Sequence, residues 1–261
     1  MATASGIPAP IHDAERAERR FFLALSCLIA AIIVAGFSVN LAMGRSTFAV
    51  PAAYHIHAVV FFGWVALFLA QSGLITADNV ALHRRLGMIS IVWVPLMVVT
   101  GIVIMIVVMQ RTGGPFFFDQ NEFVVSNILH LLLFAALVLA ALRRRRYTGW
   151  HRRYMLVAMA ILSGPGLGRL LPMPLMIPHA WRLMTLFLLI FPVIGMIRDK
   201  LRRGRVHPAW WCGTGAVVVT QIVADLIAYS PAGIALTEWL VAGTPGAGRP
   251  MEAFLPPGFA M

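Results

Sequence analysis

Four histidines stand inside or at the edges of long apolar stretches, where an imidazole can ligate a metal, relay a proton or satisfy a backbone group. His57 lies near the start of the second apolar stretch, His83 just before the third, His130 in the middle of the fourth and His151 just before the fifth. Neutral imidazoles are axial ligands for haem iron, with the low dielectric and nearby charge setting the potential. Pairing His57 with His130, and His83 with His151, would hold b-type haem (haem b) between helices, the most specific chemistry these residues permit. With its helix centred near Leu132, His130 lies about 3 Å outside the bilayer midplane and His57 roughly 10 Å outside it. A porphyrin can bridge that height difference, whereas a bare ion would need the helices displaced.

Other polar groups compete for this reading. Asn127 stands three residues before His130 on the same helix face and can share its site. His55 is two residues from His57 and points elsewhere. His179, with Arg182 three residues on, is a further histidine at the same end as His57. At the opposite end His83, His151 and His207 lie near Asp78 and Asp199, as an ordinary interfacial group or a zinc or iron site. In the last apolar stretch Thr220, Gln221 and Asp225 turn a polar face inward; Asp225 would relay a proton, accept a bond from Arg169, or sit at the interface. The run Gly164-Pro165-Gly166-Leu167-Gly168-Arg169 has no strand before it or lysine after it, as a phosphate loop would need. It reads as a broken helix end beside a cavity, with Arg169 placed to meet an anionic or quinone-like headgroup. Cys27 and Cys212 form no metal motif and read as small apolar fillers.

The elements that must position these groups follow from hydropathy. Of 261 residues 60% are hydrophobic and 12% charged, too few charges to cover the surface of a water-soluble domain. Apolar stretches of membrane-spanning length fall at about 21–43, 52–74, 86–109, 123–142, 152–171, 179–197 and 210–230. The first has no clear cleavage site and reads as a retained helix. The expected fold class is all-α, a polytopic transmembrane bundle of seven helices spanning 21–230. A flexible segment, 1–20, precedes it, and a Pro/Gly-rich tail, 231–261, follows it. Within the tail Ile234 to Val241 can form a short helix on the bilayer surface.

A net charge of +11 raises the question of nucleic acid, but the cations lie between apolar blocks, where they face anionic lipid instead. They concentrate before the first stretch (Arg16, Arg19, Arg20) and between the second and third (Arg84, Arg85). They recur between the fourth and fifth (Arg143 to Arg146, Arg152, Arg153) and the sixth and seventh (Arg198 to Arg205). The alternation puts the N-terminus inside and the tail outside. His83-Arg84-Arg85-Leu86-Gly87 and His151-Arg152-Arg153-Tyr154-Met155 also echo each other, as a duplicated helical hairpin or as two ordinary basic interfacial starts.

The placement of His57, His83, His130 and His151 over residues 52–171 resembles the cytochrome b561 family. It departs from that family in the short spacing within each hairpin and in an inner pair at the membrane edge. The resemblance implies two b-type haems on those four residues and electron transfer to a quinone, ferric iron or another acceptor, with Arg169 or Arg182 assisting a propionate or the acceptor. The same segments resemble an uncharacterised group of bacterial multi-pass proteins, which implies a bacterial-type cytoplasmic (inner) membrane. Three rivals remain: a transporter for a small or anionic solute lined by His130, Asn127, Arg169 and Asp225; a histidine-metal membrane enzyme using His83, His151, His207 and Asp199; and a noncatalytic assembly subunit with a membrane-protein partner.

Overall fold

The computed structural model describes residues 9–258, and every regular element among them is helical. The helices are α1 (Ala9–Ala42), α2 (Ala52–Thr76), α3 (Val80–Gly87), α4 (Ser90–Thr112), α5 (Gln120–Arg143), α6 (Thr148–Leu162), α7 (Gly164–Leu170), α8 (Ala180–Leu188), α9 (Ile190–Arg203), α10 (Pro208–Ala228) and α11 (Pro231–Val241). Six spans are long and apolar enough to cross a bilayer: Asp13–Ala42, Ala52–Thr76, Ser90–Thr112, Gln120–Arg143, Ala180–Arg203 and Pro208–Ala228. Large apolar side chains such as Val59, Val92, Leu186 and Leu226 point out of the bundle, where only lipid would receive them.

The stretch expected to cross at 152–171 is divided into α6 and α7. Pro165 has no N–H to offer Ile161, and its ring crowds that carbonyl, so the chain tightens at Ser163, whose N–H and hydroxyl both turn to the Ala160 carbonyl. Pro192 makes the same kind of joint between α8 and α9 at Leu189, one turn earlier. Helix α6 is the centre of the bundle. Tyr154 and every residue from Leu156 to Ile161 are buried, as expected of a helix apolar on all sides.

Helix α7 crosses α1 with the backbones in contact: a Cβ on Gly36 would stand 2.3 Å from the Gly166 carbonyl oxygen. Small residues allow this approach, and in lipid such packing replaces the hydrophobic drive that water would supply.

Two expectations about the ends change. Helix α1 begins at Ala9, well before the apolar stretch. The polar run from Glu15 to Arg20 is rich in helix formers and carries an i,i+4 pair from Glu15 to Arg19 at 2.9 Å. Residues 1–8 of the segment expected to be flexible lie outside the described residues, as do 259–261 of the tail. The tail helix α11 buries Gly233, Thr237, Leu240 and Val241. Beyond it the chain returns over α5, where Gln120 N–H donates to the Met251 carbonyl (2.7 Å) and the Asp119 carboxylate accepts from Ala253 N–H (2.6 Å). The Arg249 guanidinium closes the turn by donating to the Gly113 and Phe118 carbonyls.

Candidate functional site

Two polar regions lie at opposite ends of the bundle, and the histidines divide between them. At the basic end, Arg153 of α6 is wholly buried and donates to both oxygens of Asp199 in α9, at 2.7 and 2.8 Å from one nitrogen and 3.0 Å from Nε. The same guanidinium reaches Glu18 of α1 at 3.4 Å, and Glu18 also pairs with Arg152 and Arg203. Asp199 accepts further bonds from Trp210 Nε1 (3.0 Å) and the His207 amide (3.2 Å). Four of these five bonds end on Oδ2 and one on Oδ1, so the carboxylate is a structural clamp that ties α9 to α6 and α10, with α1 joined through Glu18.

His207 belongs to that clamp. Its Nδ1 accepts from Ala209 N–H at 3.1 Å and caps α10. Burial, then Arg153, hold its imidazole below the ordinary value. A lowered folded-state pKa means that the contribution to stability is present above the unfolded value, about 6.5, and is lost as pH falls below it. Substituting Asn, a good and non-titrating cap, is therefore expected to shrink the drop in thermal midpoint between pH 7.5 and 5.5. An unchanged drop in H207N would show that the group is not the sensor.

His83 and His151 stand apart from the clamp and lie close together. Their ring centroids are 6.3 Å apart with the planes at 89°. Each is anchored through Nδ1 on a backbone carbonyl of a preceding helix: His83 on Gln71 of α2 at 3.3 Å, His151 on Ala141 of α5 at 2.9 Å. The Gln71 side-chain amide, turned with its NH2 toward the ring, donates to the same nitrogen and makes it an acceptor, so the contact with the Gln71 carbonyl and this one call for opposite tautomers of His83. An imidazole that donates Nδ1–H to a carbonyl presents the lone pair on Nε2, the arrangement found in metal-bound histidines. Burial pushes His83 below its ordinary value, favouring that neutral form.

At the tail end the polar groups are more numerous. Arg182 of α8 donates through Nε to Asp225 of α10 at 2.7 Å and lies 3.2 Å from His179 Nδ1. Gln221 donates to the other Asp225 oxygen at 2.8 Å and accepts from Trp181 Nε1 at 3.0 Å. Asp225 is thus paired with Arg182 and not with Arg169, which lies over the Phe37 ring at 3.9 Å and donates to the Pro165 carbonyl.

His130 is buried against Trp181, ring centroids 6.1 Å apart, with Nε2 unpartnered. His57 lies on Phe61 at 4.0 Å, its Nδ1 also unpartnered. Their ring contacts are with these separate aromatic neighbours. His55 is exposed, and Asn127 turns back to its own Phe123 carbonyl at 2.6 Å.

Glu122 and Ser126 were not singled out by sequence, yet both are buried and neither side chain has a hydrogen-bond partner. Their signal was a spacing: Glu122, Ser126 and His130 recur at i, i+4 and i+8, one face of a helix. Among the described residues no three His, Cys, Asp or Glu side chains converge as a metal ion would require. His207 and Asp199 are committed to the clamp, so the four-residue metal set does not assemble. Against protein-family models, curated proteins and solved structures the chain has no match.

Proposed function

We propose that this chain is a b-type haem protein of the membrane, binding one haem between His83 and His151 and passing single electrons at its basic end. The observation that carries the reading is the closeness of these two imidazoles, whose ring centroids lie 6.3 Å apart, each tied through Nδ1 to a backbone carbonyl. His83 and His151 would be the residues that hold the haem, neutral imidazole being the ligand type that haem iron takes.

Bound there, haem would supply a one-electron couple. The protein's part is to hold the ligands. The Gln71 and Ala141 carbonyls fix the two rings from α2 and α5, and Arg84 and Arg85, exposed beside His83, offer cations for propionates. A site at the membrane edge suits exchange with a partner or a small acceptor at the surface, with a quinone reached from the lipid as the alternative.

The reading includes a seventh crossing. Residues 148–170, α6 and α7 taken through the joint at Ser163, extend about 34 Å at 1.5 Å per residue. It also includes an orientation, with the basic end in the cytoplasm of a bacterial-type inner membrane and the tail outside.

Protein purified from cells fed a haem precursor is expected to show a Soret band and a reducible α-band at one haem per chain. Both should be lost in H83A and in H151A and kept in H57A and H130A. A colourless wild type, or a preparation bleached by H130A and not by H151A, would overturn the assignment.

A further inference from the structure

The inner face of α5 at the tail end holds buried polar atoms that the haem reading does not use. Glu122 is fully buried, and both carboxylate oxygens lack a hydrogen-bond donor. The nearest cation, Arg182, is 3.8 Å away, beyond hydrogen-bond reach. One turn deeper the Ser126 hydroxyl is also fully buried and unpartnered, and a further turn deeper His130 leaves Nε2 unpartnered. The Asn121 amide donates to the Ala228 carbonyl at 2.8 Å, while its oxygen has no partner.

Unsatisfied buried polar groups of this density call for ordered water or an ion. The three α5 groups are spread over about 12 Å of helix, too far for one ion and well spaced for a file of waters. Within membranes, chains of Asp, Glu and His serve as proton relays in pumps and transporters.

Toward the tail, Arg182 stands between Glu122 and the surface. The Arg182–Asp225 pair is part-exposed and borders a shallow depression lined by Ile222, Asp225, Leu226 and Tyr229. The lower end is closed, since the same face of α5 continues as Phe134, Leu137, Val138 and Ala141, all buried and apolar, with Trp64 of α2 edge-on to Phe134 at 5.5 Å.

We propose that this face is a blind proton well, a water file entering beside Asp225, passing Glu122 and Ser126 and ending at His130 in the bilayer interior. A proton enters as hydronium, is held as the Glu122 carboxylic acid with release of a water, and leaves by the same route. The charged groups acting on Glu122 are Arg182 of α8, Asp225 of α10 and Asp119 before α5; Asp225 also acts on His130. The well does not depend on haem, so it can fail or stand separately from the reading above.

The test is infrared difference spectroscopy on vesicles of phosphatidylethanolamine and phosphatidylglycerol holding the full chain in one orientation, sorted by a C-terminal tag. A carboxyl C=O band absent from E122Q identifies Glu122. That band is expected to follow pH on the tail side only, and wild-type vesicles under a potassium diffusion potential are expected to carry no proton current. In S126V, which keeps Glu122, the band's response should persist while deuterium exchange at the His130 ring, followed by nitrogen NMR, is lost. A Glu122 band indifferent to pH on both sides, a band that follows the basic side, or a proton current in the wild type would overturn the well.

Discussion

Replacing Arg153 with methionine is expected to lower stability by about 3–5 kcal/mol, the largest effect of any single side chain here. The residue has no exposed surface, and its removal leaves Asp199 and Glu18 with excess negative charge among four packed helices. The attraction within such a cluster roughly balances the desolvation of its members, so the damage comes from breaking the set rather than from losing a favourable pair. The double change R153M/D199L should therefore recover much of the loss, a non-additivity that thermal unfolding in detergent can read. Arg152, partly exposed, pairing with Glu18 and lying over the Phe22 ring at 5.2 Å, should lose less on replacement by alanine than Arg153 does, about 1 kcal/mol. If R153M unfolds no earlier than R152A, the buried clamp is not what joins these helices.

The second large effect is steric. A methyl on Gly166 would lie 2.7 Å from the Ile33 Cα and 3.1 Å from the Ile32 carbonyl oxygen, both backbone atoms that move only if α1 moves. G166A is expected to lose about 1–3 kcal/mol by overpacking, and G166V more, with α1 becoming accessible to protease at its tail-end half. Gly164, two residues away, is the control. Its added Cβ would meet only the flexible Met184 side chain, at 3.7 Å, so G164A should behave as wild type. Equal behaviour of the two variants would refute the backbone contact between α1 and α7.

Both predictions rest on partners that sequence alone does not reveal, and this marks where reading the chain in advance succeeded. Hydropathy placed α2, α4 and α5 because a bilayer imposes a length on any apolar run, and Gly164-Pro165-Gly166 announced a broken helix because proline withholds a donor. Arg153 looked like its neighbours in a basic interfacial run. It is buried because Glu18 and Asp199, 135 and 46 residues away, come to meet it. Glu122 carries no local sign that Arg182 of α8 and Asp225 of α10 come close to it.

The tail helix was foreseen as a surface element. It also packs on the bundle, where Gly233 lets its backbone close on the end of α10: an added Cβ would stand 2.1 Å from the Ile227 carbonyl oxygen. Of the two histidine pairs, the rings of His83 and His151 lie 6.3 Å apart, while His57 and His130 each pack on an aromatic neighbour of their own.

Glu18 also imposes an order on biogenesis. Its partners Arg153 and Arg203 lie 135 and 185 residues further along the chain, and a ribosome adding about 5–20 residues per second takes roughly 10–40 s to produce the second of them. For that interval Glu18 in the first helix is without these two counter-charges. The clamp therefore closes only after Ala180–Arg203, the fifth of the six long apolar spans, has been made.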